Sequence, residues 1–322
     1  MTLTSTSLAT EVFSLVPNPG FPAYVHVHTN GRVYAGTYTN PLGDTMPSRV
    51  LEWTADGTLL RSWTVPGQDL SKPHGVQVAQ SDARGRLVLL EKSTRSVLTL
   101  DVRTGEFRVQ AVLPTGSIPN YATWGPGGAL FVSDYAQPVI WKIPPGGGAP
   151  VEWLRSTALA GVEFGTTGLV YQPTLRAFLG SQQTTTNPLD VGRGKLYRVP
   201  VRDDGSPGKL TTLWTSRPLE LPDGFGVAAS GRIHLSLLGT NQLVALSPTG
   251  AELERFPAAP LTGANGSPIP FDGPSNATFL GTRVLVANQS PVVGDRAHHA
   301  ILAVEVGEAG AAAYVPAGAT LS

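Results

Sequence analysis

The stretch Leu221-Pro222-Asp223-Gly224-Phe225, followed by the run Gly231-Arg232-Ile233-His234-Leu235, contains the pattern that decides the fold. In this pattern, a segment that contains proline opens a short strand. A turn with glycine follows, and an apolar strand comes after the turn. Short apolar runs bounded by Gly and Pro are typical of β-hairpins. The same pattern occurs five more times in the chain, opening near Phe21, Lys72, Ile118, Gly165 and Gly273.

The spacing of these repeats predicts a β-propeller. Successive opening prolines lie 46 to 56 residues apart, with Thr166 in place of proline in the fourth repeat. Most repeats continue with a third strand, such as Val139–Ile143, and a fourth strand after a further turn. Four-stranded units repeated around an axis build a propeller, and no unit is stable alone. We therefore expect an all-β, six-bladed propeller with four-stranded blades, in preference to a β-sandwich array.

One domain is expected to span residues 1–322, with its site in the central channel. The segment Glu11-Val12-Phe13-Ser14-Leu15-Val16 precedes the first repeat. An N-terminal strand near residues 10–17 is therefore predicted to supply the outer strand of the last blade and to close the ring.

The composition excludes several functional classes. Among 322 residues, 23 basic and 23 acidic side chains balance, so we expect no nucleic-acid partner and no membrane partner. The absence of cysteine excludes disulfides, thiolate nucleophiles and zinc–thiolate sites. Without a transmembrane run or a signal-peptide pattern, we expect a soluble protein, either cytoplasmic or secreted after removal of a leader. The oligomeric state is left open.

Equivalent positions of the repeats are predicted to form rings around the channel. The first ring follows the opening Pro or Thr166 and consists of Ala23, His74, Asn120, Thr167, Asp223 and Ser275. Five of these are polar, and buried polar groups need a partner, water, a ligand or a metal. A polar pocket on the axis is therefore expected, with His74 and Asp223 as candidate catalytic residues.

A second ring is predicted where the next strand of each repeat ends. It consists of Thr37, Glu91, Asp134, Ser181, Leu237 and Asn288. Asp134 and Asn288 are expected to cap backbone amides. Glu91 is less easily explained as a cap and is a third candidate catalytic acid or base. His26 and His28 face the same way on one strand, and we expect them to lie on the channel side or to pack between blades.

Aromatic and polar side chains beside the first ring are candidates for substrate binding. They are Thr167, Ser275, Asn276, Tyr24, Tyr121 and Trp124. Phe225 is expected to add to an apolar wall of the kind that small-molecule sites usually have. Long loops at Thr37 to Pro47, Gln182 to Gly194 and Leu261 to Pro270 are predicted to shape access to the channel.

Two motifs resemble a known family. Leu221-Pro222-Asp223-Gly224-Phe225-Gly226 and Phe271-Asp272-Gly273-Pro274-Ser275-Asn276, each with the strand that follows it, resemble the signature of the regucalcin (senescence marker protein)/gluconolactonase family. Strictosidine-synthase-like propellers and paraoxonase-like lactonases share the blade pattern. The resemblance implies a six-bladed propeller and hydrolysis of a lactone or ester.

The same resemblance implies one divalent cation on the axis, usually calcium. Its ligands in the family are a Glu in blade one, Asn residues in middle blades and the Asp of the Pro-Asp-Gly motif. Asn120 and Asp223 match this set and are the candidate metal ligands. Thr167 stands where an Asn is expected and Gly20 where the Glu is expected. The ligand set is therefore incomplete.

Three functional hypotheses follow. The favoured one is a gluconolactonase-like hydrolase of a small-molecule lactone or ester, with or without a divalent cation. The first alternative is a metal-independent isomerase, cyclase or synthase acting on a natural product, which the absent blade-one Glu favours. The second alternative is a non-catalytic propeller that binds a small molecule.

Overall fold

The computed structural model describes residues 8–38, 45–291 and 294–322, and these form six four-stranded antiparallel sheets. The predicted six-bladed β-propeller is confirmed. The innermost strands of neighbouring blades contact one another around the whole ring and enclose a channel. We call the end where these strands begin the upper end, and the end where they finish the lower end.

The strands follow chain order within the first three blades. Blade one consists of β2 (Phe21–Val27), β3 (Val33–Tyr38), β4 (Arg49–Trp53) and β5 (Leu59–Thr64), after β1 (Thr10–Leu15). Blade two consists of β6 (Val76–Ser81), β7 (Leu87–Glu91), β8 (Ser96–Asp101) and β9 (Glu106–Val112). Blade three consists of β10 (Pro119–Trp124), β11 (Leu130–Asp134), β12 (Val139–Ile143) and β13 (Val151–Arg155).

The last three blades differ only at the point of closure. Blade four consists of β14 (Thr166–Gln172), β15 (Ala177–Gln182), β16 (Lys195–Pro200) and β17 (Thr211–Thr215). Blade five consists of β18 (Pro222–Val227), β19 (Ile233–Leu237), β20 (Gln242–Leu246) and β21 (Glu252–Phe256). Blade six consists of β22 (Thr278–Leu280), β23 (Arg283–Asn288), β24 (Ala300–Glu305) and β1, which pairs antiparallel with β24.

The glycine repeated in the first hairpin of several blades has a backbone reason. Gly31, Gly85 and Gly231 have φ values of 79°, 77° and 84°. This is the left-handed region that favours glycine in tight turns. Helical structure in the described residues is limited to single 3-10 turns at Pro126–Gly128, Thr157–Leu159, Pro188–Asp190 and Arg296–His298.

The hydrophobic core is divided into six clusters, one at each interface between neighbouring blades. At the closing interface, Val25 and Leu51 of blade one pack against Leu285 and Ile301 of blade six. Removal of apolar area from water stabilises each interface by roughly 25 cal/mol per Å². Closure therefore rests on side-chain packing as well as on the β1–β24 ladder.

Residues 309–322 cross the lower end of the molecule, and we call them the C-terminal strap. The amide of Ala311 donates to the carbonyl of Val227 in blade five at 2.8 Å. Farther along, the carbonyl of Ala319 accepts from the amide of Ala83 in blade two at 2.8 Å. Leu321 is fully buried in the cluster between blades two and three. The strap thus ties together blades that are distant in sequence.

No helix in the described part of the chain is long and apolar enough to cross a membrane.

Candidate functional site

In four blades the innermost strand carries a β-bulge at the predicted first ring. In blade five, Pro222 pairs with Leu237 and Phe225 with Leu235, so Asp223 and Gly224 together oppose Ser236. Blades one, three and four show the same shift, which leaves Ala23-Tyr24, Asn120-Tyr121 and Thr167-Gly168 unpaired. A bulge changes the direction of side chains and is common beside functional sites. These bulges occur at the upper end of the channel.

Serine residues opposite the bulges join neighbouring blades. The Ser133 hydroxyl donates to the carbonyl of Thr167 at 2.6 Å, and the Ser181 hydroxyl donates to the carbonyl of Asp223 at 2.5 Å. The pairing also corrects the predicted second ring, because Thr166 pairs with Gln182 and not with Ser181. Ser181 is therefore equivalent to Ser133 and Ser236, which oppose the bulges of blades three and five.

Asp223 lies inside the channel and is only 5% exposed. Its Oδ1 accepts a hydrogen bond from the hydroxyl of Tyr24, which lies in blade one. Burial raises the pKa of Asp223 to about 8, although the Tyr24 hydrogen bond acts in the opposite direction. The carboxyl group can therefore gain or lose a proton near neutral pH, as a general acid or base requires.

Tyrosine side chains surround this carboxyl group. The rings of Tyr24 and Tyr121 have centroids 4.9 Å apart, so blades one, three and five meet across the channel. Burial, with the charge of Asp223 as the second cause, raises the pKa of Tyr24, Tyr38 and Tyr135. Burial alone raises the pKa of Tyr121 to about 12. All four phenols are therefore neutral hydrogen-bond donors at physiological pH.

Glycines allow this close arrangement. A Cβ atom at Gly224 would lie 2.7 Å from the Cβ of Asn276, so only glycine lets blade five approach blade six beside Asp223. A Cβ atom at Gly75 would lie 2.1 Å from the ring of Tyr38. Glycine is required at both positions because the neighbouring atoms leave no room for a Cβ atom, and not because of a turn.

Two polar atoms in or beside the first ring are buried without a hydrogen-bond partner among the described residues. Asn120 is 9% exposed, and its Oδ1 has no hydrogen-bond partner among the residues that the structure describes. The hydroxyl of Thr166 is in the same condition. Thr167 is satisfied, because its hydroxyl lies 3.0 Å from the Ser181 hydroxyl. Asn120 is therefore the first-ring amide that can accept or donate to a bound molecule.

His74 is only 2% exposed, and its imidazole ring contacts backbone carbonyl groups. Its Nδ1 lies 2.9 Å from the carbonyl of Lys72, and its Nε2 lies 2.7 Å from the carbonyl of Met46. Both ring nitrogens therefore face backbone carbonyl groups. This arrangement links blade two to the loop before β4 and gives His74 a structural role.

Glu91 and Asp134 are capping carboxylates. The Glu91 carboxylate accepts from the amides of Ser93 and Thr94 at 2.9 and 2.8 Å, from both of their hydroxyls, and from Gln68 at 3.0 Å. Asp134 accepts three backbone amides and, at 2.8 Å, the indole of Trp141. Glu91 therefore has the structural role expected of Asp134, and both of its oxygens are occupied.

The remaining predicted site residues mostly hold the blades together. The indole of Trp124 donates to the carbonyl of Ser81 at 2.8 Å. Asn276 accepts from the amide of Ala287 at 3.0 Å and donates to Thr278 at 2.7 Å. Ser275 is fully buried against the carbonyl of Ala287. Asn288 caps the amide of Asp272 at 2.7 Å, as predicted from its strand-end position.

The donor set does not fit the divalent cation that the resemblance implies. Calcium takes six to eight oxygen ligands, whereas the first ring offers one carboxylate and one amide oxygen, Asp223 and Asn120. Tyr24 already occupies Oδ1 of Asp223, and Gly20 provides no side chain. The described residues contain no group of three or more His, Asp or Glu side chains placed to hold a metal ion. A cation therefore takes no part in the chemistry derived below.

Tyr38 and Tyr135 were missed by the sequence analysis. Each directly follows a second-ring residue, in Thr37-Tyr38 and Asp134-Tyr135. Comparison of the repeats could have identified them, because blades one and three both have tyrosine at this position. Of the predicted loops, residues 39–44 of the first lie outside the described residues, whereas Pro188–Asp190 form a 3-10 turn in the second.

Comparisons with known proteins show where this fold recurs. No family sequence profile and no curated protein sequence matches the chain. Among solved structures, a gluconolactonase from Xanthomonas campestris superposes with a TM-score of 0.63 at 19% identity, covering 91% of this chain and 87% of that one. The calcium-binding protein regucalcin from Agrobacterium tumefaciens gives 0.65 at 16% identity, covering 96% and 99%.

A virginiamycin B lyase from Staphylococcus aureus also matches. Its TM-score is 0.60 at 17% identity, covering 90% of this chain and 82% of that one. The resemblance to gluconolactonase-like propellers is confirmed as a likeness of fold, and at these identities it extends no further.

Proposed function

We propose that this protein is an enzyme that opens a lactone or related small cyclic ester, with Asp223 as its proton-transfer group. The observation that carries the proposal is the buried Asp223, whose pKa is raised to about 8 and whose Oδ1 is held by Tyr24. Perturbed carboxyl groups in a channel are typical of catalytic acids and bases. Fold neighbours that include a gluconolactonase and a virginiamycin B lyase support an enzymatic role.

The chemistry follows from the two carboxylate oxygens. Tyr24 holds Oδ1, and Oδ2 has no hydrogen-bond partner among the described residues. In the ionised form, Oδ2 accepts a proton from water as the water oxygen bonds to the ester carbonyl carbon. The protonated carboxyl then returns that proton to the ring oxygen as the carbon–oxygen bond breaks. Water and lactone thereby give a hydroxy acid, and Asp223 is regenerated.

Neutral donors around Asp223 are suited to the negative charge that develops on the carbonyl oxygen. The amide of Asn120 and the hydroxyl of Tyr38 are the groups we assign to this role. Fixed donors in a site with little water stabilise such an oxyanion more than water does. Tyr135 is already committed, because its hydroxyl donates to Oε1 of Gln183 at 2.6 Å.

A second candidate reaction is ring opening by elimination. It requires a base but no water, and the pairing of Asp223 with Tyr24 in place of a cation favours it. Asp223 would then remove a proton from the carbon next to the one that bears the leaving ester oxygen, and a carbon–carbon double bond would form between these two carbons as that oxygen departs. Isotope labelling separates the two reactions, because hydrolysis in ¹⁸O-water places one labelled oxygen in the product and elimination places none.

The test is turnover of a panel of small lactones and cyclic esters, with Asp223→Asn as the matched variant. We expect the wild type to open at least one substrate and Asp223→Asn to lose at least about a hundredfold in kcat/KM. Activity is expected to persist after EDTA treatment and to be unchanged by added calcium. Loss of all activity with EDTA and recovery with calcium would overturn the cation-free chemistry.

Tight binding of these compounds without turnover would overturn the enzymatic proposal itself. It would instead support the alternative of a non-catalytic binding propeller.

A further inference from the structure

The lower end of the channel contains a cavity of about 340 Å³. Residues near the ends of all six innermost strands line it, among them His26, Gln80, Thr123, Tyr171, Phe225 and Thr278. Asp223 is not among the lining residues. Tyr24 bonds Asp223, whereas Tyr121, whose ring centroid lies 4.9 Å from that of Tyr24, contributes to the cavity wall. The cavity is therefore separate from the upper site.

The C-terminal strap forms one side of the cavity. Ala311, Ala312, Ala313 and Tyr314 line it, and the ring of Tyr314 packs on Tyr171 with centroids 5.0 Å apart. The strap is fixed at this point, because Ala311 donates to the carbonyl of Val227. Three consecutive alanines leave the space open where larger side chains would fill it. Ligand cavities of a few hundred Å³ usually have this partly enclosed form.

The described lining of the cavity contains no Asp, Glu, Lys or Arg side chain. Burial, with His28 as the second cause, lowers the pKa of His26 to about 3, so His26 is neutral at physiological pH. Both ring nitrogens of His28 are already engaged, because its Nδ1 accepts from the amide of Asn30 at 2.9 Å and its Nε2 faces the carbonyl of Gly85 at 3.0 Å. A charged ligand would be desolvated here without a counter-charge.

The lining of this cavity also provides polar groups that are free to bind a ligand, and they lie beside aromatic side chains. His26 uses Nε2 toward Ser81 at 3.2 Å, and its Nδ1 has no partner among the residues described. The side-chain amide of Gln80 and the hydroxyl of Tyr121 likewise make no hydrogen bond with the described residues. Phe225 and Phe279 supply aromatic surface on the same cavity. Aromatic walls with a few hydrogen-bonding groups fix the orientation of a small ligand.

We infer that the lower end of the propeller is a second ligand site, which takes an uncharged aromatic or alicyclic molecule with one or two hydrogen-bonding groups. It is distinct from the site around Asp223 and does not depend on the proposed reaction.

The test uses two fluorescent probes that differ by one charged group. 1-N-phenylnaphthylamine is neutral, whereas 8-anilinonaphthalene-1-sulfonate carries a sulfonate. We expect saturable one-to-one binding of the neutral probe and binding of the sulfonate weaker by about tenfold or more. The upper-site variant Asp223→Asn is expected to bind the neutral probe as the wild type does.

Ala313→Trp places an indole in the cavity and is expected to weaken binding of the neutral probe by about tenfold or more. Ala309→Trp is the matched control, because Ala309 lies on the strap but does not line the cavity. Equal binding of the neutral probe to Ala313→Trp and wild type would overturn the inference, as would equal binding of the two probes. Should Ala313→Trp fail to fold, His26→Phe keeps the volume, removes the ring nitrogens, and is expected to weaken binding severalfold.

Discussion

At the scale of single residues, Asp223 couples the proposed activity to stability. A carboxyl group buried in a channel prefers its neutral form, because ionisation without solvation is costly. The Tyr24 hydrogen bond offsets part of that cost, which leaves the pKa near 8 instead of higher still. The same residue therefore has consequences both for a pH–rate profile and for a pH–stability profile.

Replacement of Tyr24 by Phe is expected to move the pH dependence of activity. In the wild type, kcat/KM should rise with pH through about 8, because the ionised Asp223 is the base. Tyr24→Phe removes the bond that lowers this pKa, so the rising limb should move to higher pH. The measurement is kcat/KM against pH for both proteins. A profile that is flat from about pH 6 to about pH 9 would contradict the role of Asp223.

Asp223→Asn is expected to abolish turnover and to stabilise the protein at high pH. The folded-state pKa, about 8, lies above the unfolded value of about 3.9, so the folded state binds the additional proton between these values. Wild-type stability should therefore fall as pH rises through this window, by up to about 1.4 kcal/mol per pH unit. Urea unfolding at about pH 4 and about pH 9 measures this. An unfolding free-energy difference between the two proteins that does not grow with pH would contradict it.

Glu91→Gln is expected to lower stability without moving the pH–rate midpoint. The amide group of Gln would face donors that now bind a carboxylate, and a lost buried hydrogen bond costs about 1–3 kcal/mol. Asp134→Asn in blade three is the matched control, since Asp134 also caps backbone amides. If Glu91→Gln shifts the pH midpoint of kcat/KM and Asp134→Asn does not, Glu91 is again a candidate catalytic residue.

At the scale of elements, the bulges explain which part of the site the sequence could predict. The positions of Asp223 and Asn120 follow from repeat spacing, because equivalent residues of a propeller lie at one depth. The direction of the Tyr24 side chain does not follow. A strand without a bulge would alternate, and Ala23 and Tyr24 would face opposite sides. Both residues lie unpaired opposite Gly36, and this register depends on the neighbouring strand.

The strands themselves were predictable because apolar runs and glycine turns recur in each blade. Pairing in blade four was not, since both Ser181 and Gln182 are polar and the pattern does not choose between them. The roles of His74 and Glu91 were also hidden, because their partners are backbone groups. A sequence shows that a side chain can hydrogen bond but not that a nearby loop already satisfies it.

The serine opposite a bulge is expected to act on the carboxyl group through the backbone. Ser181→Ala leaves the carbonyl of Asp223 without its donor, at a cost of about 1–3 kcal/mol in unfolding free energy. Ser133→Ala is the matched control, because Ser133 makes the same bond to Thr167. Both variants should lose similar stability, but only Ser181→Ala should lower kcat. Equal kcat in the two would contradict a positioning role for Ser181.

At the scale of the whole molecule, stability depends on the six interfaces and on the strap. Leu321→Ala removes a fully buried side chain from the cluster between blades two and three and should cost about 2–5 kcal/mol. Leu189→Ala is the control, since Leu189 is 89% exposed. Thermal unfolding of both variants measures the difference. A melting temperature of Leu321→Ala equal to that of the control would show that the strap contributes no stability.

The strap also has a consequence for biosynthesis. Blade six already holds β1, but blades two and three receive their last partners from Ala319 and Leu321, near the end of the described chain. Those residues are synthesised only after every strand of the six blades, because the last of these strands ends at Glu305. Until they leave the ribosome, the apolar groove between blades two and three stays uncovered, and chaperones that recognise such surfaces can bind there.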